Sequence, residues 1–164
     1  MSTVSSNLYP PIMPDTLPAF VGDNCRIYFS LSKYNSASDI KNIQVSLMKQ
    51  KTNTSILKSP SGILIINGSP TVINENESSD YKYYITINKN QIINNSFDTN
   101  EYYKIQLRFT AFGAEDISQN TEDQTATEAT SLWLEKNKNY FSEWSKTCLI
   151  KCIASPKLTL KHFE

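Results

Sequence analysis

The sequence predicts an all-β fold: a sandwich of two sheets preceded by an extended N-terminal arm. Three observations carry the prediction. Apolar and polar residues alternate strictly in several short segments, turn-rich stretches separate those segments, and 164 residues suit one domain with a tail.

The arm, residues 1–20, holds four of the seven prolines, Pro10, Pro11, Pro14 and Pro18. They exclude it from a helix or a central strand, because proline lacks the N–H that either would need. Yet Leu8, Tyr9, Ile12, Met13, Leu17 and Phe20 give it more apolar surface than a free tail exposes. The expectation is an assembly element that lies on a neighbouring subunit and stands apart from the independent fold.

Residues 21–155 are expected to form the domain. Ile27, Phe29 and Leu31 point one way while Arg26, Tyr28 and Ser30 point the other. The same period of two runs through Ile43, Val45 and Leu47, through Tyr83, Ile85 and Ile87, and most cleanly through Tyr103, Ile105, Leu107 and Phe109. Residues 112–139 break the rhythm with an acidic, Thr-rich stretch (Glu115, Asp116, Glu122, Asp123, Glu128), then offer residues 126–136 as a weak helix candidate. A long loop on a sheet edge, inserted between the last two strands, is the simplest account. Residues 147–153 follow as a strand with Cys148, Ile150 and Cys152 on one face. Pro156 ends it, leaving 156–164 as a tail or the start of a further strand.

Sixteen basic and sixteen acidic residues cancel, so neither a nucleic-acid nor a membrane-surface partner is expected. The opening MSTVSSNLYPP has neither a basic start nor an apolar stretch, and the longest aliphatic run, residues 63–66, is far short of the ~20 residues of a membrane helix. Cys148 and Cys152 share a strand face without meeting, so Cys25, Cys148 and Cys152 read as small buried thiols, with a bridge from Cys25 to one of the others as the alternative. The single histidine, His162, lies two residues from the end. No nucleophile has a usual base, no phosphate loop can be built from four glycines, and the acidic stretch matches no calcium loop. No enzymatic activity, metal or cofactor is expected.

Phe97-Asp-Thr-Asn-Glu-Tyr-Tyr103 is the strongest local pattern. An apolar residue six positions before a Tyr, a polar turn and then an alternating strand resemble the corner between strands E and F of fibronectin type III and immunoglobulin-like sandwiches. The resemblance implies that Tyr103 packs its ring inward and ties its hydroxyl to the preceding turn, while Tyr102 faces solvent or a partner. An ordinary core Tyr beside a loop is the plainer alternative. Phe141-Ser-Glu-Trp-Ser145 is similar to the Trp-Ser-x-Trp-Ser box of cytokine-receptor modules. It implies aromatics interleaved with the outward row Lys104, Gln106 and Arg108. Trp144 as a plain packing anchor is the competing expectation.

The chain also resembles, from Tyr9 to Leu160, tail-associated virion proteins of tailed bacteriophages, particularly phages of gut Firmicutes. The likeness rests on Tyr9-Pro-Pro-Ile with Leu17-Pro-Ala-Phe20, on Cys25-Arg-Ile-Tyr-Phe-Ser-Leu-Ser32, on Asp80-Tyr-Lys-Tyr-Tyr84, on Tyr102-Tyr-Lys-Ile-Gln-Leu-Arg-Phe109 and on Tyr140-Phe-Ser-Glu-Trp-Ser145. It implies a structural virion component, assembled in the host cytoplasm, whose partners are other virion proteins and further copies of itself. In such proteins the module precedes more sandwich domains, so a fragment or a short relative is expected. A surface module that recognises carbohydrate or protein is the alternative function.

Overall fold

Strands form where β-branched and aromatic residues occupy alternate positions, because only then does one pleated face bury apolar surface while the other stays polar. In the computed structural model, which describes residues 8–22, 24–59, 61–68, 71–72, 81–116 and 127–153, these segments build eight strands and one α-helix. The strands are β1 (Phe20–Val21), β2 (Asn24–Phe29), β3 (Ile40–Lys49), β4 (Ile63–Asn67), β5 (Thr71–Val72), β6 (Tyr83–Asn88), β7 (Tyr102–Ala111) and β8 (Cys148–Ile153), with α1 (Thr127–Lys136) between β7 and β8. The fold is therefore mainly β. The tail at 156–164, the first seven residues of the arm and positions 117–126 of the insertion lie outside the described residues.

One sheet runs β1-β8-β7-β3-β4 and the other β2-β6-β5. All pairings are antiparallel except β1 with β8, which is parallel. The longest ladder, β3 with β7, sets Ile43 opposite Phe109, Val45 opposite Leu107 and Leu47 opposite Ile105. These inward rows meet Ile27 and Phe29 of β2 and Ile85 and Ile87 of β6 in a single core. The Phe29 ring lies 5.9 Å from that of Phe109 in the other sheet, and 5.9 Å from Tyr83 in its own.

The arm departs from expectation. Leu8, Met13, Leu17 and Phe20 are buried in this same core. Ile12 and Ser30 exchange both backbone hydrogen bonds (2.8 and 2.9 Å), the Leu17 N–H donates to the Leu149 carbonyl, the Leu149 N–H to that of Asp15, and Phe20 pairs with Cys152. Residues 8–20 thus begin beside β2 in one sheet and cross to β8 in the other. Pro14 and Pro18 fall between the bonding positions Ile12, Leu17 and Phe20, and Pro10 and Pro11 precede them, so the missing N–H groups leave the seam intact. The Asp15 carboxylate, 2.6 Å from the Lys146 ammonium, adds an exposed ion pair at the crossing. A boundary at residue 20 cuts through β1. The correction is that the described part of the arm belongs to the domain, because its own apolar residues close the gap between the sheet edges.

The insertion is corrected as well. Its described part is no bare edge loop: α1 spans almost the segment read as a weak helix, and Trp133 sets it against Ile65 of β4 on the face turned away from the main core. Trp133, Ile65 and Ala114 are buried together there, with Ile63, Leu134, Tyr140 and Phe141 against them. Polar bonds fasten this cover. The Trp133 indole N–H donates to the Glu115 carbonyl (2.9 Å), the Glu115 N–H to the Asn137 amide oxygen, and Lys41 reaches the Ala114 carbonyl and the Asp116 carboxylate. Gly113 makes the close approach possible, since a Cβ there would stand 2.2 Å from the Tyr140 ring. Gly113→Ala should therefore lower stability by about 1–3 kcal/mol. The loss should be read by thermal melting, and an unchanged melt would show that the ring yields freely.

Cys25, Cys148 and Cys152 are free and buried. Burial pushes all three thiols up, Cys148 to about 11, so little thiolate forms at neutral pH. Native protein prepared without reductant should hardly react with a thiol reagent, and denatured protein should titrate as three thiols. A single thiol after denaturation would establish a bridge. Among the described residues no helix is long and apolar enough to cross a membrane.

Candidate functional site

At the start of β7 the Tyr103 ring is buried while Tyr102, one residue before, is 47% exposed with the Lys151 ammonium 5.6 Å from its ring centre. The Tyr103 hydroxyl accepts the Asp98 N–H at 2.6 Å and is 3.3 Å from the Asp98 carbonyl, to which it donates. Phe97 packs edge-on to Tyr103, and Phe20 of the arm packs edge-on to Phe97 at 4.6 Å. The three rings join the turn before β7 to the arm. Desolvation raises the Tyr103 phenol to about 12, although the hydrogen bond from the Asp98 backbone acts the other way. Lys49 forms an ion pair with Asp98 on the solvent side. Both hydrogen bonds of the Tyr103 hydroxyl thus go to the backbone of the turn before β7.

The segment 141–145 forms a ladder on β7. The Ser142 hydroxyl accepts the Phe109 N–H (2.9 Å) and the Ser145 hydroxyl accepts the Leu107 N–H (3.0 Å), while the N–H groups of the two serines donate to the same residues' carbonyls. Each serine therefore closes both backbone groups of a β7 residue, and that spacing of three turns Phe141 and Trp144 outward. The guanidinium of Arg108 lies under both rings, 4.5 Å from the centre of Phe141 and 4.3 Å from that of Trp144. Its Nε–H donates to Gln44 (2.8 Å), whose amide in turn donates to Thr110 (3.1 Å). Trp144 is thus half-buried and outside the core, which corrects its reading as a plain packing anchor. Its ring covers a cation instead of filling apolar space. Desolvation lowers Arg108 to about 10, still far above neutrality. Arg108, Lys138, Phe141, Ser142, Glu143 and Trp144 line an open groove of about 380 Å³.

The outer side of the arm makes a second surface. Tyr9 is 51% and Ile12 48% exposed, and the Tyr9 ring lies 5.4 Å from that of Tyr34, which is 67% exposed. The Tyr9 N–H donates to the Asn35 side chain at 2.8 Å, fixing the arm where it carries this ring. Of the residues singled out in the arm, Met13, Leu17 and Phe20 therefore face the core, and Tyr9 and Ile12 face outward. Sequence reading did not anticipate Tyr34 as their neighbour or Trp133 as the anchor of α1. Only an exposed aromatic in a polar turn marked the first, and an amphipathic helix too weak to orient marked the second.

Among the described residues no group of three His, Cys, Asp or Glu side chains could hold a metal ion. Compared with models of known protein families and with curated proteins, the sequence matches none.

Proposed function

We propose that this chain is a non-enzymatic structural subunit of a phage virion, a tail or tail-appendage component that docks to neighbouring subunits and to further copies of itself. Its frame on this reading is a fibronectin type III or immunoglobulin-like sandwich. Two sheets around one core, the Tyr103 hydroxyl tied to the turn before β7, and the serine ladder at 141–145 support that frame. The docking reading rests on the arm. Its backbone is fastened to both sheets, yet Tyr9 and Ile12 hold apolar surface out to solvent beside Tyr34. Rigid aromatic side chains held this way lose little entropy on contact, which is why Tyr is enriched at interface centres.

Sedimentation velocity of the purified chain tests it. Self-association is expected, and it should be lost on replacing Tyr9 and Ile12 together by Glu, with the melting temperature little changed because neither side chain is in the core. A wild-type chain that stays monomeric at every concentration, and is missing from purified particles, would sink the proposal. A second reading, a surface module that recognises carbohydrate or protein, draws on the Arg108 groove. Glycan binding by the monomer would favour it.

A further inference from the structure

Arg26 and Arg108 are the only arginines among sixteen basic residues, and both are stacked on aromatic rings, Arg26 at 4.2 Å from the centre of Tyr84. Arg108 differs in what surrounds its charge. Among the described residues no carboxylate lies within ion-pair distance of it, although Lys41, Lys49, Lys51, Lys136, Lys138 and Lys146 each have one. Its Nε–H is used by Gln44 and the Phe141 and Trp144 rings stack on it, which leaves its Nη groups as the donors toward the groove. The Nη edge of a guanidinium carries N–H donors in a fixed planar fork. It matches a planar anion lying in its own plane, and a carboxylate accepts two parallel N–H bonds in that geometry.

We propose that the Arg108 groove receives a carboxylate side chain of a protein partner, a reading that rests on the chain's role in subunit docking. Its shape suits a side chain delivered from a facing surface: about 380 Å³, open to solvent, with Lys138 on the rim. The groove is also held rigid before anything enters. The serine ladder fixes both rings against β7, and Gln44 and Thr110 fix the guanidinium from below. Little ordering remains to be done on contact, which lowers the entropy cost of binding. Glu143 lies on the same rim and carries the charge opposite to that of Lys138.

The experiment titrates the full chain with an end-blocked tetraglutamate peptide and follows the Arg108 Nε–H and Trp144 indole resonances by NMR. Saturable shifts are expected, weakening as salt is raised. Arg108→Lys keeps the charge but loses the fork and should weaken binding by about tenfold. Lys138→Glu leaves the stack untouched and should weaken it by about threefold, so a folding defect in the first variant cannot be mistaken for support. Equal shifts with a tetraglutamine peptide, or none with either, would overturn the site. Saturation by oligogalacturonate but not by tetraglutamate would overturn the protein partner in favour of an acidic saccharide. Peptide binding that meets these criteria supports the groove even if the chain sediments as a monomer, in which case the failure lies with the self-docking reading.

Discussion

A chain lacking residues 1–20 should fail to form a cooperative fold. The truncation removes Leu8, Met13, Leu17 and Phe20, all buried in the main core, and leaves the far edge of β8 and the Ser30 backbone without partners. Each of those side chains is worth about 1.5–3 kcal/mol on burial, and four together approach the roughly 5–15 kcal/mol by which whole domains are stable. Phe20→Ala alone, in the full chain, should cost about 3–5 kcal/mol because its ring also supports Phe97. Denaturant unfolding followed by circular dichroism would measure both. A truncated domain that melts within a few degrees of the full chain would show that the seam contributes little and would restore the arm as a separate docking element.

Tyr103 should show the second large effect. Tyr103→Ala removes a buried ring and should cost about 3–5 kcal/mol, whereas Tyr102→Ala, on the exposed side of the same strand, should cost about 1 kcal/mol or less. Tyr103→Phe isolates the hydroxyl. It leaves the Asp98 N–H without its acceptor and should cost about 1–3 kcal/mol. The same phenol gives a pH signature. Its folded value, about 12, lies above its ordinary 10, so the stability it contributes is fully present below pH 10 and is lost as pH rises towards 12. Cys148 adds a slope of the same sign between 9 and about 11, so the test is the difference between wild type and Tyr103→Phe across pH 10–12. Equal alkaline slopes in the two proteins would remove Tyr103 as the cause, and equal losses at 102 and 103 would reverse the register of β7.

How much of this could be read from sequence depended on how many faces of each strand are buried. β2 and β7 bury one face along much of their length, and Ile27 with Phe29, and Tyr103 through Phe109, stand out by alternation alone. β4 does not alternate, because Leu64 faces the core while Ile65 lies beneath Trp133 on the opposite face; a strand covered on both sides reads as a plain aliphatic run. The polar residues Asn42 and Gln44 of β3 mark an outer face, yet both are buried, Gln44 between Arg108 and Thr110 of β7, which no local pattern announces. β1 is two residues long and pairs in parallel with the far end of the chain, so nothing in its own sequence names its partner. Proline spacing correctly keeps the arm out of a central strand, but apolar content cannot say whose surface it covers. Arg108 is legible only through the spacing of Phe141 and Trp144, since a charge on an outward row otherwise reads as solvated.

The crossing of the arm from one sheet to the other also orders events in time. Phe20 and Cys152 lie near opposite ends of the chain, so a ribosome that has released the arm, β2 and β3 has still to make the strand on which Phe20 rests. Until β8 emerges, Leu17 and Phe20 have no parallel edge to join. Contacts between residues so distant in sequence close late and slowly. During that interval the arm of one chain can settle on the completed β8 of another, and exchange of arms between neighbours becomes a kinetic competitor of intrachain closure wherever many copies are made together.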